Sequence, residues 1–466
     1  MQQSCAIVCA TSRRIRNRMS VLTSYPLALM QCRERAVVRR VGGHALPMMR
    51  IDSGGRRTRV ARTIGQQRDV MRATTTTTQV PKRAHIVARI SRRQGPQMAF
   101  LRMSSFACAA VLAFVLVSGA SADDVYVAVA GPMTGSNAAV GAQMLYGASA
   151  AVDDLNSSRL LPEFKIRLTV ADDACDPKQA VAVANRLAAD QVRLVVGHYC
   201  SSSSIPASDV YAESGTIQIS PGSTNPQLTE RGLRTVFRIC GRDDQQGVVA
   251  ANYILQHHSK SKIAVLDDKS TAGKGIADVV ASRLQDAGLQ IIMRQSYMAG
   301  EKDYTALVSR MKKEGIEIAY IGGYYAEIGL IVRQAAEAHA HLTVMANDPL
   351  MTGEFWAIAS SAANGTLFTF MLDATKNAGA ADVVARLKAT RRTAEGYTLY
   401  AYAAVQAWAL AVRRAGSFNA LRVAKALRSQ EAETVIGHVR FDAKGDNASA
   451  GFVVNRWRDN TIERVE

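Results

Sequence analysis

Residues 193–226 read RLVVGHYCSSSSIPASDVYAESGTIQISPGSTNP. Two short apolar runs, 193–196 and 216–219, flank a segment, 205–213, whose apolar residues fall at helical spacing. Each run is too short for a helix and is rich in β-branched residues, so each reads as a strand. A loop of small and polar residues follows each one: GHYCSSSS after the first and SPGSTNP after the second. Strand, helix and strand at this pitch make a βαβ unit, and its strands are parallel.

The same pattern runs outward in both directions. Strand-like runs recur at 125–130, 165–171, 262–266, 290–296, 316–321 and 342–345. Between them, 142–155, 177–189, 245–257, 274–286, 304–313 and 327–339 carry apolar residues at i, i+3 and i+4. Segments 379–392 and 397–415 read as helices, and 434–441 and 452–458 as closing strands. So many units overfill one sheet. The expected solution is an α/β architecture of two doubly wound, parallel-sheet lobes. Ligands of such sheets bind beyond the carboxyl ends of the strands, which here means the cleft between the lobes. Four strand-end loops share that address: GPMTGSNAAVG (131–141), GHYCSSSS (197–204), SPGSTNP (220–226) and ANDP (346–349).

Charge separates this body from what precedes it. The chain holds 57 basic and 39 acidic residues, for a net charge of +18. Residues 1–102 contain 21 of the basic and three of the acidic residues, and 103–122 contain none, which leaves 36 of each for 123–466. The neutral body therefore gives no reason to expect a nucleic-acid partner. An apolar core at 106–117 follows Arg102 and ends in Ala120-Ser121-Ala122. That arrangement reads as a cleaved secretory signal over 103–122, and the core is too short to span a bilayer. The expectation is a periplasmic body translated from Met98 or Met103, with 1–102 as an upstream extension without a fold of its own. A transit peptide or a basic nucleic-acid arm shares that composition, but neither accounts for an export signal downstream. Export permits disulfides. The body has three cysteines, Cys175, Cys200 and Cys240, so either one thiol stays free or no disulfide framework exists.

The strand-end loops suggest their own chemistry. Ser201–Ser204 lead into a helix, where hydroxyls cap free N–H groups and an anion is attracted. Gly222 lets backbone approach a ligand, and Thr224 adds a hydroxyl. Together they could hold a carboxylate, although an ordinary cap and an ordinary turn have the same residues. Asp348 could face an ammonium group, or could simply form an Asx-turn before Pro349. Enzyme signatures are missing: there is no G-x-G-x-x-G after a strand, STAGKG (270–275) lacks P-loop spacing, and no H-E-x-x-H or G-x-S-x-G occurs. Ser201 lies near His198, but no acid that would orient a triad is evident. We expect no catalytic activity, no cofactor and no metal.

Four stretches carry a family resemblance: DDACDPKQAVAVAN (172–185), GHYCSSSSIPASDVY (197–211), AGEKDYTALVSRMKKE (299–314) and YIGGYYAEIGLIVRQA (320–335). They resemble the branched-chain amino acid-binding proteins of ABC importers, the leucine/isoleucine/valine-type periplasmic receptors. The match runs through nearly all of 124–457, and 1–102 has no counterpart. The resemblance implies the type I periplasmic binding protein fold, with two lobes joined by a three-segment hinge. Lobe one would comprise 123–242 and 371–450, and lobe two 243–370 with 451–466 returning to it.

The resemblance also implies roles. Ser201, Gly222 and Thr224 match the α-carboxylate ligands, and Asp348 stands where the leucine-type receptor has Glu opposite the α-ammonium. Tyr199, Cys200, Tyr324 and Tyr397 match pocket-wall positions, and Cys175 and Cys200 match the family disulfide. Cys240 has no family partner. Val140 and Ala272 stand where tyrosines flank the ligand side chain, which predicts an enlarged or more open side-chain pocket. The function implied is a monomeric exported receptor that captures an amino acid with a branched-chain or other apolar or aromatic side chain. It would deliver that amino acid to the membrane permease of an ABC importer. A ligand-sensing regulator on the same scaffold and a receptor for a carboxylate that is not an amino acid are the alternatives.

Overall fold

The computed structural model of the chain describes residues 123–465; the extension 1–102 and the signal segment 103–122 lie outside the described residues. Five parallel strands form the first sheet: β1 (Asp123–Gly131), β2 (Phe164–Asp172), β3 (Leu194–Gly197), β4 (Ile217–Ser220) and β5 (Val236–Arg238). Their spatial order is β2-β1-β3-β4-β5. β3 and β4 are four residues each and buried throughout, as strands covered by helices on both faces must be. The crossover helices are α1 (Ala138–Ser157), α2 (Pro177–Ala189), α3 (Ser201–Ser214) and the short α4 (Gln227–Glu230). α2 starts with Pro177 at its first turn and with the Asp176 carboxylate accepting from the Gln179 N–H, a start signal legible in CDPKQ.

The chain then crosses to a second sheet through α5 (Asp243–His257), β6 (Ile263–Asp267), α6 (Thr271–Asp286), β7 (Ile291–Ser296), α7 (Thr305–Glu314), β8 (Ile318–Gly322), α8 (Tyr325–Glu337), β9 (Thr343–Ala346), α9 (Gly353–Ala359) and β10 (Leu367–Met371). After β10 it returns to the first sheet with α10 (Ala381–Ala389), α11 (Thr398–Ala415) and α12 (Ala420–Ser429), followed by the hairpin β11 (Ala432–Thr434) and β12 (Gly437–Val439). A third crossing delivers β13 (Phe452–Arg458) and β14 (Thr461–Arg464) to the second sheet, whose order is β14-β13-β10-β9-β8-β6-β7.

Two features differ from the sequence expectation. The second sheet is not wholly parallel, because β13 pairs antiparallel to both β10 and β14. The run 434–441 is not one strand, because the chain reverses between Thr434 and Gly437 to make the β11–β12 hairpin. In addition, β5, β10, β14, α4, α9 and α12 were not anticipated.

Both sheets share one topological device. In the first, β1 lies between β2 and β3; in the second, β6 lies between β7 and β8. The winding direction reverses at each of these places, and the strand ends there open a crevice suited to ligands. α11 is the deepest helix, with Trp408 1% exposed and apolar residues all round. It presses onto α1 so closely that a Cβ on Gly147 would stand 1.8 Å from the Thr398 carbonyl oxygen.

Candidate ligand-binding cleft

The loop after β3 enters α3 at Ser201, which is buried. Its hydroxyl does not cap the helix. The carbonyl of Cys200 receives the N–H groups of Ser203 and Ser204, each at 2.9 Å. The serine side chains bind the neighbouring loop instead: the Asn225 N–H donates to Ser201 Oγ at 3.3 Å, and Ser204 Oγ pairs with Ser223 Oγ at 2.6 Å. The serine run and SPGSTNP therefore form one rigid unit.

Arg238, at the end of β5, completes that unit. Its buried guanidinium donates to the carbonyls of Ser223 at 2.7 Å and Asn225 at 2.8 Å, and to Asp446 Oδ1 at 2.8 Å. Both carbonyls are thereby turned inward, which fixes the backbone between them, Thr224 included. Thr224 is buried and accepts the Asp243 N–H on its carbonyl at 2.9 Å. Gly222 faces the aromatic wall, where a Cβ would come within 2.6 Å of Tyr199 and 3.3 Å of Tyr397. Any other residue there would push those rings aside.

Asp348 comes from the second sheet, in the turn after β9, and is 2% exposed. It makes no Asx-turn. Tyr397 donates its hydroxyl to Asp348 Oδ2, and Asn347 Nδ2 lies 3.5 Å from Oδ1. Burial pushes the Asp348 carboxyl above its ordinary value, against the hydrogen bond from Tyr397. A second carboxylate, Asp243, lies at the start of α5, 1% exposed, with neither oxygen hydrogen-bonded. Burial, and then the charge of Asp348, raise it to about 8. A cationic group near this pair would remove both penalties.

The walls are aromatic. The Tyr199 ring lies 5.2 Å from Tyr397 and 5.8 Å from Tyr324, and Phe370 lies 5.5 Å from Tyr397. The hydroxyls of Tyr199 and Tyr324 make no hydrogen bond with the protein. Val140, in the first turn of α1, is 1% exposed and belongs to the same apolar cluster as Tyr199 and Cys200. Ala272, in the first turn of α6, is 8% exposed and follows Thr271, whose carbonyl accepts from Asn225 Nδ2 at 2.9 Å. That bond joins the two sheets across the cleft. A second one is made by Glu395, which accepts from the Gly353 N–H at 3.2 Å.

Ser201, Gly222, Thr224, Asp348 and the three tyrosines thus converge on one region, although no hydrogen bond joins Ser201 to Asp348. Cys175 and Cys200 form a disulfide with their Cα atoms 5.5 Å apart, and Cys240 is free and buried. An acid does orient His198, contrary to the sequence reading: Asp173 Oδ2 lies 2.5 Å from Nδ1, and both residues are fully buried. The other ring nitrogen faces the Tyr211 hydroxyl at 2.9 Å, not Ser201. Among the described residues, no group of three or more His, Cys, Asp or Glu side chains is placed to hold a metal ion. Sequence reasoning missed Asp243, Arg238 and Glu395. Acidic residues at a helix start are commonplace, and nothing local in RDDQQG signals burial.

Comparisons with known proteins bear on the family and the fold. The family model described as periplasmic binding protein matches residues 124–461. The chain is 42% identical over 358 residues to the Leu/Ile/Val-binding protein homolog 1 of Brucella suis biovar 1 (strain 1330), covering 77% of this chain and 96% of that one. It is 45% identical over 339 residues to an amino acid binding protein of Pseudomonas aeruginosa, covering 72% and 91%. The fold is shared with the leucine binding protein LivK of Thermotoga maritima, with TM-score 0.69, 24% identity and coverage of 73% and 98%. It is also shared with LivJ of Streptococcus pneumoniae in complex with isoleucine, with TM-score 0.67, 23% identity and coverage of 74% and 99%. The chain belongs to the periplasmic binding protein family, on its leucine/isoleucine/valine-type branch.

Proposed function

We propose that the protein is an exported, non-catalytic receptor that captures an amino acid between its lobes and passes it to the permease of an ABC importer. The reading rests on one juxtaposition. A hydroxyl and backbone unit on the first sheet, Ser201 with Gly222–Thr224, and a buried carboxylate from the second, Asp348, are linked by Tyr397, which lies beside Gly222 and donates to Asp348. Donors on one side and a carboxylate on the other are what a zwitterion needs when it leaves water. Charge-assisted hydrogen bonds, each worth about 1.5–3 kcal/mol, offset the lost hydration. In this reading Ser201, Thr224 and the Gly222 backbone hold the α-carboxylate, Asp348 holds the α-ammonium, and Tyr199, Tyr324 and Tyr397 enclose the rest. Asp243 adds negative potential behind the ammonium. Val140 and Ala272 line the side-chain end. Residues 123–242 and 371–450 form one jaw, 243–370 and 451–466 the other, and closure on the ligand presents the docking face.

A thermal-shift screen against free amino acids and small carboxylates tests this, since a ligand that binds only the folded form raises the melting temperature by mass action. At least one α-amino acid should stabilise the protein strongly. If only compounds without an amino group do so, the reading is wrong.

A further inference from the structure

One sizeable cavity among the described residues lies beside the amino-acid cleft. It has a volume of about 840 Å³ and lies where the second and third crossings between the sheets run side by side, at 371–377 and 447–453. One part of its lining is apolar, with Phe370, Leu372 and Val453. Phe370 and Val453 are register partners across β10 and β13, so their side chains share one face of the sheet. Leu372 is 56% exposed, an unusual place for a large apolar side chain outside a contact surface. The rim is cationic. Lys388 and Arg392 both line the cavity and both are exposed. The acids of the lining are already engaged, Asp373 by Lys376 at 3.5 Å and Glu395 by the Gly353 N–H at 3.2 Å.

An orphaned donor lies in the same place. Asn455, on the same sheet face two residues beyond Val453, is 5% exposed and lines the cavity, and its Nδ2 has no hydrogen-bond partner. A buried amide donor without an acceptor is costly, and a ligand acceptor removes that cost. Volume, apolar lining and a few convergent polar groups together describe a small-molecule site. We propose that this cavity is a second ligand site, which takes a carboxylate carrying an apolar tail. The tail lies on Phe370, Leu372 and Val453, and the carboxylate accepts from Asn455 Nδ2, with Lys388 and Arg392 adding positive charge at the rim. The site adjoins the amino-acid cleft, with Phe370 in the wall of both, and Glu395 and Gly396 line it. Glu395 also accepts from the Gly353 N–H, a bond between elements of the two sheets.

Calorimetric titration of the purified full-length protein with octanoate tests the proposal, with 1-octanol as the uncharged control. One octanoate should bind per chain, at least about tenfold more tightly than octanol. Leu372→Glu and Lys388→Glu change exposed residues and so spare the fold; each should weaken octanoate by about tenfold or more. Asp348→Ala should leave octanoate binding unchanged. The proposal is overturned if millimolar octanoate gives no binding heat, or if octanol binds equally well. It is equally overturned if both rim variants bind like the parent, or if Asp348→Ala abolishes octanoate binding, which would put the acid in the amino-acid cleft.

Discussion

Asp348 occupies a position that is expensive for a lone carboxylate and useful for a paired one. It is 2% exposed, its hydrogen bonds come from Tyr397 and Asn347, and its carboxyl is raised by burial. Removing it would leave a bound ammonium buried without its partner, a loss of about 3–5 kcal/mol. Asp348→Ala should therefore weaken amino-acid binding at least about a hundredfold by calorimetry. Ser201→Ala should cost less, about tenfold, because backbone donors remain on that side. Asp243 gives a pH signature. In the folded, ligand-free protein it keeps its proton up to about pH 8, whereas its ordinary value is 3.8. Between those values the folded state binds more protons than the unfolded state. Stability must then fall as pH rises, by up to about 1.4 kcal/mol per pH unit for one group. Melting temperatures of the ligand-free protein should decline from about pH 4 toward pH 8, and Asp243→Asn should flatten the decline. Ser201, Gly222, Thr224 and Asp348 drew notice because they stand in short polar loops at the ends of strand-like runs, and only the family resemblance proposed roles for them. Asp243 did not, since its burial arises from the crossing between two sheets distant in sequence.

At the scale of elements, apolar spacing placed the helices, and local start and stop signals in the chain agree with it. DPKQ opens α2 with a cap and a proline, and Gly215 and Gly315 close α3 and α7 in the left-handed conformation. The missed elements have weaker or different signatures. β5 is three residues, VFR, buried only because β4 and the chain at Asp446 flank it. β10, LFTFM, is apolar at four of its five positions and was readable. The hairpin at 432–439 shows how two three-residue strands imitate a single longer one. One tertiary knot could not be read locally. Arg238 and Arg242 both pair with Asp446, more than two hundred residues downstream, and so tie the first crossing to the third. Arg238 also holds the loop that carries Thr224. Asp446→Ala would strand the buried Arg238 and should destabilise the protein by about 3–5 kcal/mol in chemical denaturation. A change under about 1 kcal/mol would mean the knot is dispensable.

At the scale of the molecule, two sheets wound alike present their switch points to one another, and the candidate ligands come from both. Asn225 reaches Thr271 and Glu395 reaches Gly353, so hydrogen bonds bridge the elements of the two sheets in the described form. The two-lobed plan followed from counting βα units. The mixed second sheet did not, because the antiparallel return of β13 depends on the third crossing and not on any local pattern.

The central claim is that the cleft grips both ends of a zwitterion. Calorimetry with three matched compounds tests it most directly: the amino acid that best stabilises the protein, the same molecule without its amino group, and the same molecule without its carboxylate. The account predicts that the intact amino acid binds at least about a hundredfold more tightly than either relative. Equal affinity for the deaminated acid would contradict it.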